Sequence, residues 1–272
     1  MNTPPASEKP LTLPALLAMK SRHEPIAALT CYDASFAAVL DHCGVDLLLV
    51  GDSLGMVIQG EASTLPVTLE AMRYHVRCVA KSAKRAWLVA DMPFGTYGAS
   101  PAQAFDSAVQ LMQAGAQMVK LEGGAWLSDT VTLLTQSGIP VCAHLGLTPQ
   151  SVHTLGGYRV QGRQHLAAQR LKADALALQQ AGASLLVLEL VPSAVAQDIT
   201  ATLSIPSIGI GAGVQCDGQV LVLHDMLGVS LGHRPRFVRD FLEQSGSVQA
   251  AVRAYVADVK ARRYPAAEHQ YD

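Results

Sequence analysis

Apolar residues along this chain come in short unbroken runs, and a charged residue stands at the end of several of them. Asp46-Leu-Leu-Leu-Val50 leads through Gly51 to Asp52, and Trp87-Leu-Val-Ala90 leads to Asp91. Met118-Val119 leads to Lys120 and Glu122, and Ser184-Leu-Leu-Val-Leu188 leads to Glu189. Continuous apolar runs of strand length, without polar alternation, are the signature of parallel strands buried on both faces. A carboxylate abutting such a run lies at the strand's carboxyl end, which in a β/α barrel faces the active site. The pattern therefore delivers charge from several strands to one rim.

Strand and helix signals alternate along the whole chain, which predicts α/β rather than α+β. Residues 11–20 form a short amphipathic helix placed to cover the amino-terminal end of a barrel. The strands expected are Ile26–Leu29, the run ending at Asp52, the run ending at Asp91, Gln117–Leu121, Pro140–Ala143 running to His144, 184–188, Pro206–Ile210 and Val220–His224. Helices are expected at Ala34–Asp41, Thr68–Lys84, Ser100–Gln113, Ala125–Gln136, His165–Ala181 and Ser193–Leu203. Thr68 is a good N-cap, Ser100-Pro101 supplies N-cap and N1, and Gly115 supplies the stop. The polar stretch Leu145–Gln164, with Gly156-Gly157, reads as a lid more than a linker. Arg236–Arg263 is expected to be a helical tail, with Glu268–Asp272 frayed beyond Pro265. Eight strands emerge, although strands seven and eight are separated by barely one helical turn.

The chain's 272 residues are close to the roughly 250 of one β/α barrel, so one domain over 1–272 is preferred. No apolar stretch approaches the ~20 residues that span a bilayer, and Met1–Glu8 is polar and proline-rich without a signal-peptide core. Five scattered cysteines with no CxxC pair point to reduced thiols in a cytoplasmic protein. A net charge of −2 without a basic cluster gives no electrostatic footprint for nucleic acid. Charged residues make up 15% of the chain against about 25% in an average domain, which predicts a homo-oligomer with large apolar interfaces.

Asp52, Asp91 and Glu122 end three successive strands. Three hard oxygen donors on one rim suit Mg²⁺, which keeps waters or substrate oxygens for its remaining positions. The alternative for any one of these acids is a helix N-terminus or a basic partner. Lys120 and Glu122 alternate across Leu121 and so point the same way; a lysine there needs Glu122 or a substrate carboxylate as partner. Glu189, set among leucines, is expected to have a raised pKa and to serve as a general base, with a salt bridge to a barrel lysine as the alternative. His144 is equally a hydrogen-bonded core histidine or a participant. Gly209-Ile-Gly211-Ala-Gly213 could cradle a phosphate, but tight loop packing is the better reading, since no dinucleotide pattern follows. His224-Asp225 receives no role from spacing alone.

Several segments together resemble the ketopantoate hydroxymethyltransferase family. They are Val50-Gly-Asp-Ser-Leu-Gly-Met56, Ala90-Asp-Met-Pro-Phe-Gly95, Lys120-Leu-Glu-Gly-Gly124, His144-Leu-Gly-Leu-Thr-Pro-Gln-Ser151, Gly156-Gly-Tyr-Arg-Val-Gln-Gly162, Leu188-Glu189, Ile208-Gly-Ile-Gly-Ala-Gly213 and His224-Asp-Met-Leu-Gly228. The match runs in order from about residue 11 to 260. It implies a (β/α)8 TIM barrel of the phosphoenolpyruvate/pyruvate superfamily type, dependent on Mg²⁺. It implies hydroxymethyl transfer from 5,10-methylenetetrahydrofolate to 3-methyl-2-oxobutanoate, giving 2-dehydropantoate for pantothenate and coenzyme A. By motif, Asp52, Asp91 and Glu122 match the family's metal positions. Asp52, Ser53, Asp91 and Lys120 match its 2-oxoacid-binding positions, Glu189 its proton acceptor, and the assembly implied is a homodecamer. Ala143 departs from an expected glycine and Leu190 from a frequent cysteine, which affects packing beneath His144 and Glu189.

The mechanism implied is Mg²⁺-assisted enolisation of the 2-oxoacid, with Glu189 taking the C3 proton and the 145–164 loop shielding the product of that step from solvent. Two rivals remain. One is a Mg²⁺-dependent carbon–carbon lyase of the isocitrate-lyase type, which would carry a lysine-cysteine-glycine-histidine segment that this chain lacks. The other is a barrel that binds a 2-oxoacid or folate without turnover, which would have lost one of the acids.

Overall fold

The computed structural model describes residues 9–231 and 234–272; the polar Met1–Glu8 segment lies outside the described residues. Eight parallel strands close into a barrel in sequence order. They are β1 (Ile26–Thr30), β2 (Leu47–Val50), β3 (Trp87–Asp91), β4 (Met118–Glu122), β5 (Val141–Gly146), β6 (Leu185–Glu189), β7 (Ser207–Ile210) and β8 (Gly218–Leu221). Nearly every strand residue is buried, which is why the runs carry no polar alternation. Register runs from Ala28↔Leu47 round to Ala28↔Val220, where β1 meets β8.

The helices begin where the sequence supplies caps. Thr68 Oγ1 accepts from Ala71 N, Ser100 Oγ accepts from Gln103 N ahead of Pro101, and Gly115 takes the left-handed stop at φ +116°. The helix Leu13–Ser21 covers the amino-terminal end as expected. Its Lys20 pairs with Asp217 at 2.6 Å, immediately before β8, and Leu11 N–H donates to Arg85 O ahead of β3. Asp46, which opens the β2 run, belongs to this same end and pairs with Lys260 at 2.6 Å and Arg85 at 3.3 Å.

The carboxyl-terminal quarter differs from expectation. β8 stops at Leu221, because Leu223 N–H is drawn to Thr30 Oγ1 and a short helix, Leu223–Met226, begins there with His224 inside it. The tail helix spans Val248–Lys260 rather than Arg236–Arg263. Its predecessor is turned by Asp240, whose carboxylate accepts from the amides of Leu242 and Glu243, and the helix starts only at the Ser247 cap. That helix packs on β1 and on the helix Ala34–His42, and Tyr255 Oη lies 2.9 Å from the carbonyls of both Ala28 and Gln219. It thus covers the β1–β8 seam. The expected fraying of 268–272 is not seen: Tyr271 O accepts from Ser193 N at 2.9 Å. Among the described residues no helix is long and apolar enough to cross a membrane.

Candidate active site

The carboxyl ends of the strands open into a cavity of about 870 Å³ bordered by Asp52, Ser53, Asp91, Lys120, Glu122 and Glu189. β2 ends in a tight turn at Gly51, where an added Cβ would come within 2.9 Å of Ser53 Oγ. The turn aims the Asp52 amide at Asp91 Oδ2, 3.0 Å away. Ser53 Oγ is 2.9 Å from Tyr32 Oη, which follows β1. Lys120 and Glu122 do share a face, as the alternation across Leu121 requires. Lys120 Nζ lies 3.2 Å from Asp91 Oδ1, 3.3 Å from Glu122 Oε1 and 3.2 Å from His144 Nδ1. Glu189, across the cavity, meets His144 Nε2 at 3.3 Å rather than a lysine, and His144 Nδ1 lies 3.3 Å from Glu122 Oε1. His144 therefore joins the β4 and β6 carboxylates.

Burial sets the electrostatics. It pushes the Asp52 carboxyl well above the usual range, and the charges of Asp91 and Glu122 push it further. Burial also raises Asp91, against the pull of Lys120. Burial opposes ionisation of Glu122 too, but Lys120 and His144 prevail and hold it at about 2. Lys120 resists its own burial because Asp91, Glu122 and Asp52 surround it, and it stays protonated well above its ordinary range. For His144, burial and Lys120 disfavour the cation, but the Glu122 and Glu189 carboxylates, each 3.3 Å away, raise it to about 9.

Does this set suit a hard cation? Asp91 Oδ1 is buried with only the Lys120 ammonium beside it, 3.2 Å away and making no aligned hydrogen bond, and the repulsion from Asp91 and Glu122 that adds to burial in elevating Asp52 is what a divalent ion would relieve. Both features fit Mg²⁺. The three acids do not form a closed cage: among the described residues no three His, Cys, Asp or Glu side chains converge as a ready ligand set. Glu122 already has protein partners for both oxygens, its Oε2 accepting from Gln150 N at 3.0 Å. Mg²⁺ seldom needs such a cage, since it retains waters and substrate oxygens.

Two side chains escaped the sequence reading. Gln150, in the short 3₁₀ turn Pro149–Ser151, donates from Nε2 to Asp52 Oδ2 at 2.8 Å. Tyr97, in the loop after β3, donates to Gln150 Oε1 at 2.6 Å. Neither abuts an apolar run, so the strand-end signal could not reach them. Tyr32 does stand just beyond β1, but it is uncharged and so carries none of the strand-end charge signal. The Gly209–Gly213 segment packs tightly, as expected: a Cβ on Gly211, at φ +62°, would meet Phe237 at 2.9 Å and Leu190 at 3.0 Å.

A closed parallel barrel with acids on its carboxyl rim defines a class, and solved structures of that class share the fold. A phosphonopyruvate hydrolase complexed with oxalate and Mg²⁺ aligns with a TM-score of 0.62 at 12% identity, covering 80% of this chain and 82% of its own. A 2,3-dimethylmalate lyase, a member of the PEP mutase/isocitrate lyase superfamily, aligns at 0.57 and 19% identity over 81% and 84%. Within that class the sequence is more particular. The family model for ketopantoate hydroxymethyltransferase matches residues 10–267. The 3-methyl-2-oxobutanoate hydroxymethyltransferase of Azoarcus sp. (strain BH72) is 63% identical over 97% of this chain and 98% of its own. That of Burkholderia vietnamiensis (strain G4 / LMG 22486) is 59% identical over 98% of each. The chain belongs to the ketopantoate hydroxymethyltransferase family.

Proposed function

We propose that this enzyme transfers a hydroxymethyl group from 5,10-methylenetetrahydrofolate to 3-methyl-2-oxobutanoate, giving 2-dehydropantoate. The observation that carries the reading is the single cavity in which the Asp52–Asp91–Glu122 rim faces Glu189, with Lys120 between the acids. Asp52 and Asp91 would hold Mg²⁺, with Glu122 completing the negative set. When bound, the ion supplies Lewis acidity at the substrate's keto oxygen. Lys120 is the cation at hand for the substrate carboxylate, and Ser53 Oγ a hydrogen-bond donor beside it. Glu189 accepts the C3 proton, and its contact with His144 fixes its direction into the cavity. The enol carbon so exposed attacks the one-carbon unit of the folate, and water then supplies the product's hydroxyl as the bond to the folate nitrogen breaks and tetrahydrofolate leaves with the proton. A volume of about 870 Å³ lies in the range that takes a drug-sized ligand, more than a small 2-oxoacid needs, which supports a second and larger substrate.

Self-association, with the homodecamer as the expected form, is supported by large apolar side chains left exposed, among them Trp126 at 65% and Leu166 at 77%. A cytoplasmic location is supported by five cysteines that are all free thiols.

Proton NMR of 3-methyl-2-oxobutanoate in D₂O with enzyme and Mg²⁺ tests the chemistry. Loss of the C3 proton signal, halted by EDTA, is the expected result, and addition of methylenetetrahydrofolate should then yield 2-dehydropantoate. Exchange that persists in EDTA would sink the metal assignment. Absence of the product with both substrates present would sink the transfer.

A further inference from the structure

Gln150 stands where two of the proposed metal-site acids meet, and nearly all of its hydrogen-bonding capacity is spent there. Its backbone N–H donates to Glu122 Oε2 at 3.0 Å. Its side-chain amide donates to Asp52 Oδ2 at 2.8 Å and to Met92 O at 3.0 Å, while Oε1 accepts from Tyr97 Oη at 2.6 Å. Tyr97 Oη in turn accepts from the Glu122 amide at 3.2 Å. Both side chains are 6% exposed. Two acceptors on one side of the amide and a hydroxyl donor on the other permit a single orientation of the group. A flipped amide would set its oxygen against the Asp52 carboxylate.

The connection spans the barrel rim. Asp52 follows β2, Met92 follows β3, Glu122 ends β4, and Gln150 lies beyond β5. A single side chain therefore locks one oxygen of Asp52, and its own amide locks one oxygen of Glu122, whose other oxygen is held by Lys120 and His144. We propose that Gln150, held by Tyr97, is a positioning residue that presents Asp52 and Glu122 to the divalent cation. It would thereby tie the root of the 145–164 loop to cation affinity. The proposal rests on the metal reading given above. Outer-sphere partners that orient ligating carboxylates are worth about 10–100-fold in metal affinity or activity when removed.

Mn²⁺ binding to the metal-stripped protein, followed by EPR, gives a readout separate from turnover. Gln150→Ala should raise the Mn²⁺ Kd about 10–100-fold while the melting temperature stays near that of the parent. Gln150→Ala should regain turnover as Mg²⁺ is increased to saturation. Tyr97→Phe, which keeps Gln150 but frees its Oε1, should shift the Kd in the same direction by less, and it carries the test if Gln150→Ala does not fold. Equal Mn²⁺ affinity in parent, Gln150→Ala and Tyr97→Phe overturns this proposal alone. A parent protein that binds no Mn²⁺ overturns the metal reading and this proposal with it.

Discussion

At the residue scale, acids of the same kind do opposite jobs according to which end of a strand they occupy. Asp46 is buried but neutralised by Lys260 and Arg85. Asp52, six residues on, faces two other carboxylates across the rim. The sequence pattern distinguishes them, since one precedes its apolar run and the other follows it. Glu189 shows where such reading stops. Its position at the end of β6 was legible, but its partner was not, because His144 reaches it from the neighbouring strand through register that no local pattern encodes. Leu190, directly after it, adopts a left-handed φ of +46°, a conformation that costs a side-chain-bearing residue about 1–2 kcal/mol. Its amide still reaches Ile210 O and its carbonyl accepts from Gln161 N, so the turn is held from both sides. Glu189→Gln keeps these contacts but removes the proposed base. The C3 exchange rate in D₂O is expected to fall at least about 100-fold, and an unchanged rate would move the proton acceptor elsewhere.

At the element scale, the strands and the capped helices could be read directly because their signals are local: apolar runs for β2, β3, β4 and β6, and Thr68, Ser100 and Gly115 for helix ends. The last quarter was harder. Residues 236–247 carry helix-compatible spacing, yet Asp240 diverts the backbone into its own turn, a side-chain competition that periodicity does not register. The loop after β5 was expected as a lid. It begins with an anchored turn, Pro149–Ser151, whose Gln150 is part of the rim, while Tyr158 further along borders the cavity. The helix that does form, Val248–Lys260, depends on Ser247, whose Oγ accepts from Ala250 N at 3.2 Å. Ser247→Ala is expected to cost about 1 kcal/mol, visible as faster amide exchange in that helix before any other. Uniform change across the protein would instead mean that the helix does not open independently.

At the scale of the whole molecule, the barrel class was legible because the rim residues recur at the ends of four buried strands, and the family because whole segments such as Val50–Met56, Lys120–Gly124 and His144–Ser151 resemble its motifs. The large cavity was not, since its far wall draws on Phe237 and Tyr271 from beyond β8. Closure of the barrel falls to β1 and β8, with the helix Val248–Lys260 laid over their junction. Tyr255→Phe removes the hydroxyl shared by Ala28 O and Gln219 O. A loss of about 1–2 kcal/mol in global unfolding free energy is expected, measured by chemical denaturation; no loss would mean that water replaces the hydroxyl.

The same seam sets a hazard during synthesis. β1 is the first strand made, and it is wholly apolar save for Thr30. One of its edges has no native partner until β8 emerges, and no cover until the helix after it. At about 5–20 residues per second, the growing chain carries an uncharged, sticky strand edge for roughly ten seconds or longer. Unpaired edges of this kind invite pairing with other chains. Any shortened product that ends before the closing helix is therefore a candidate for aggregation, however complete its rim of acids.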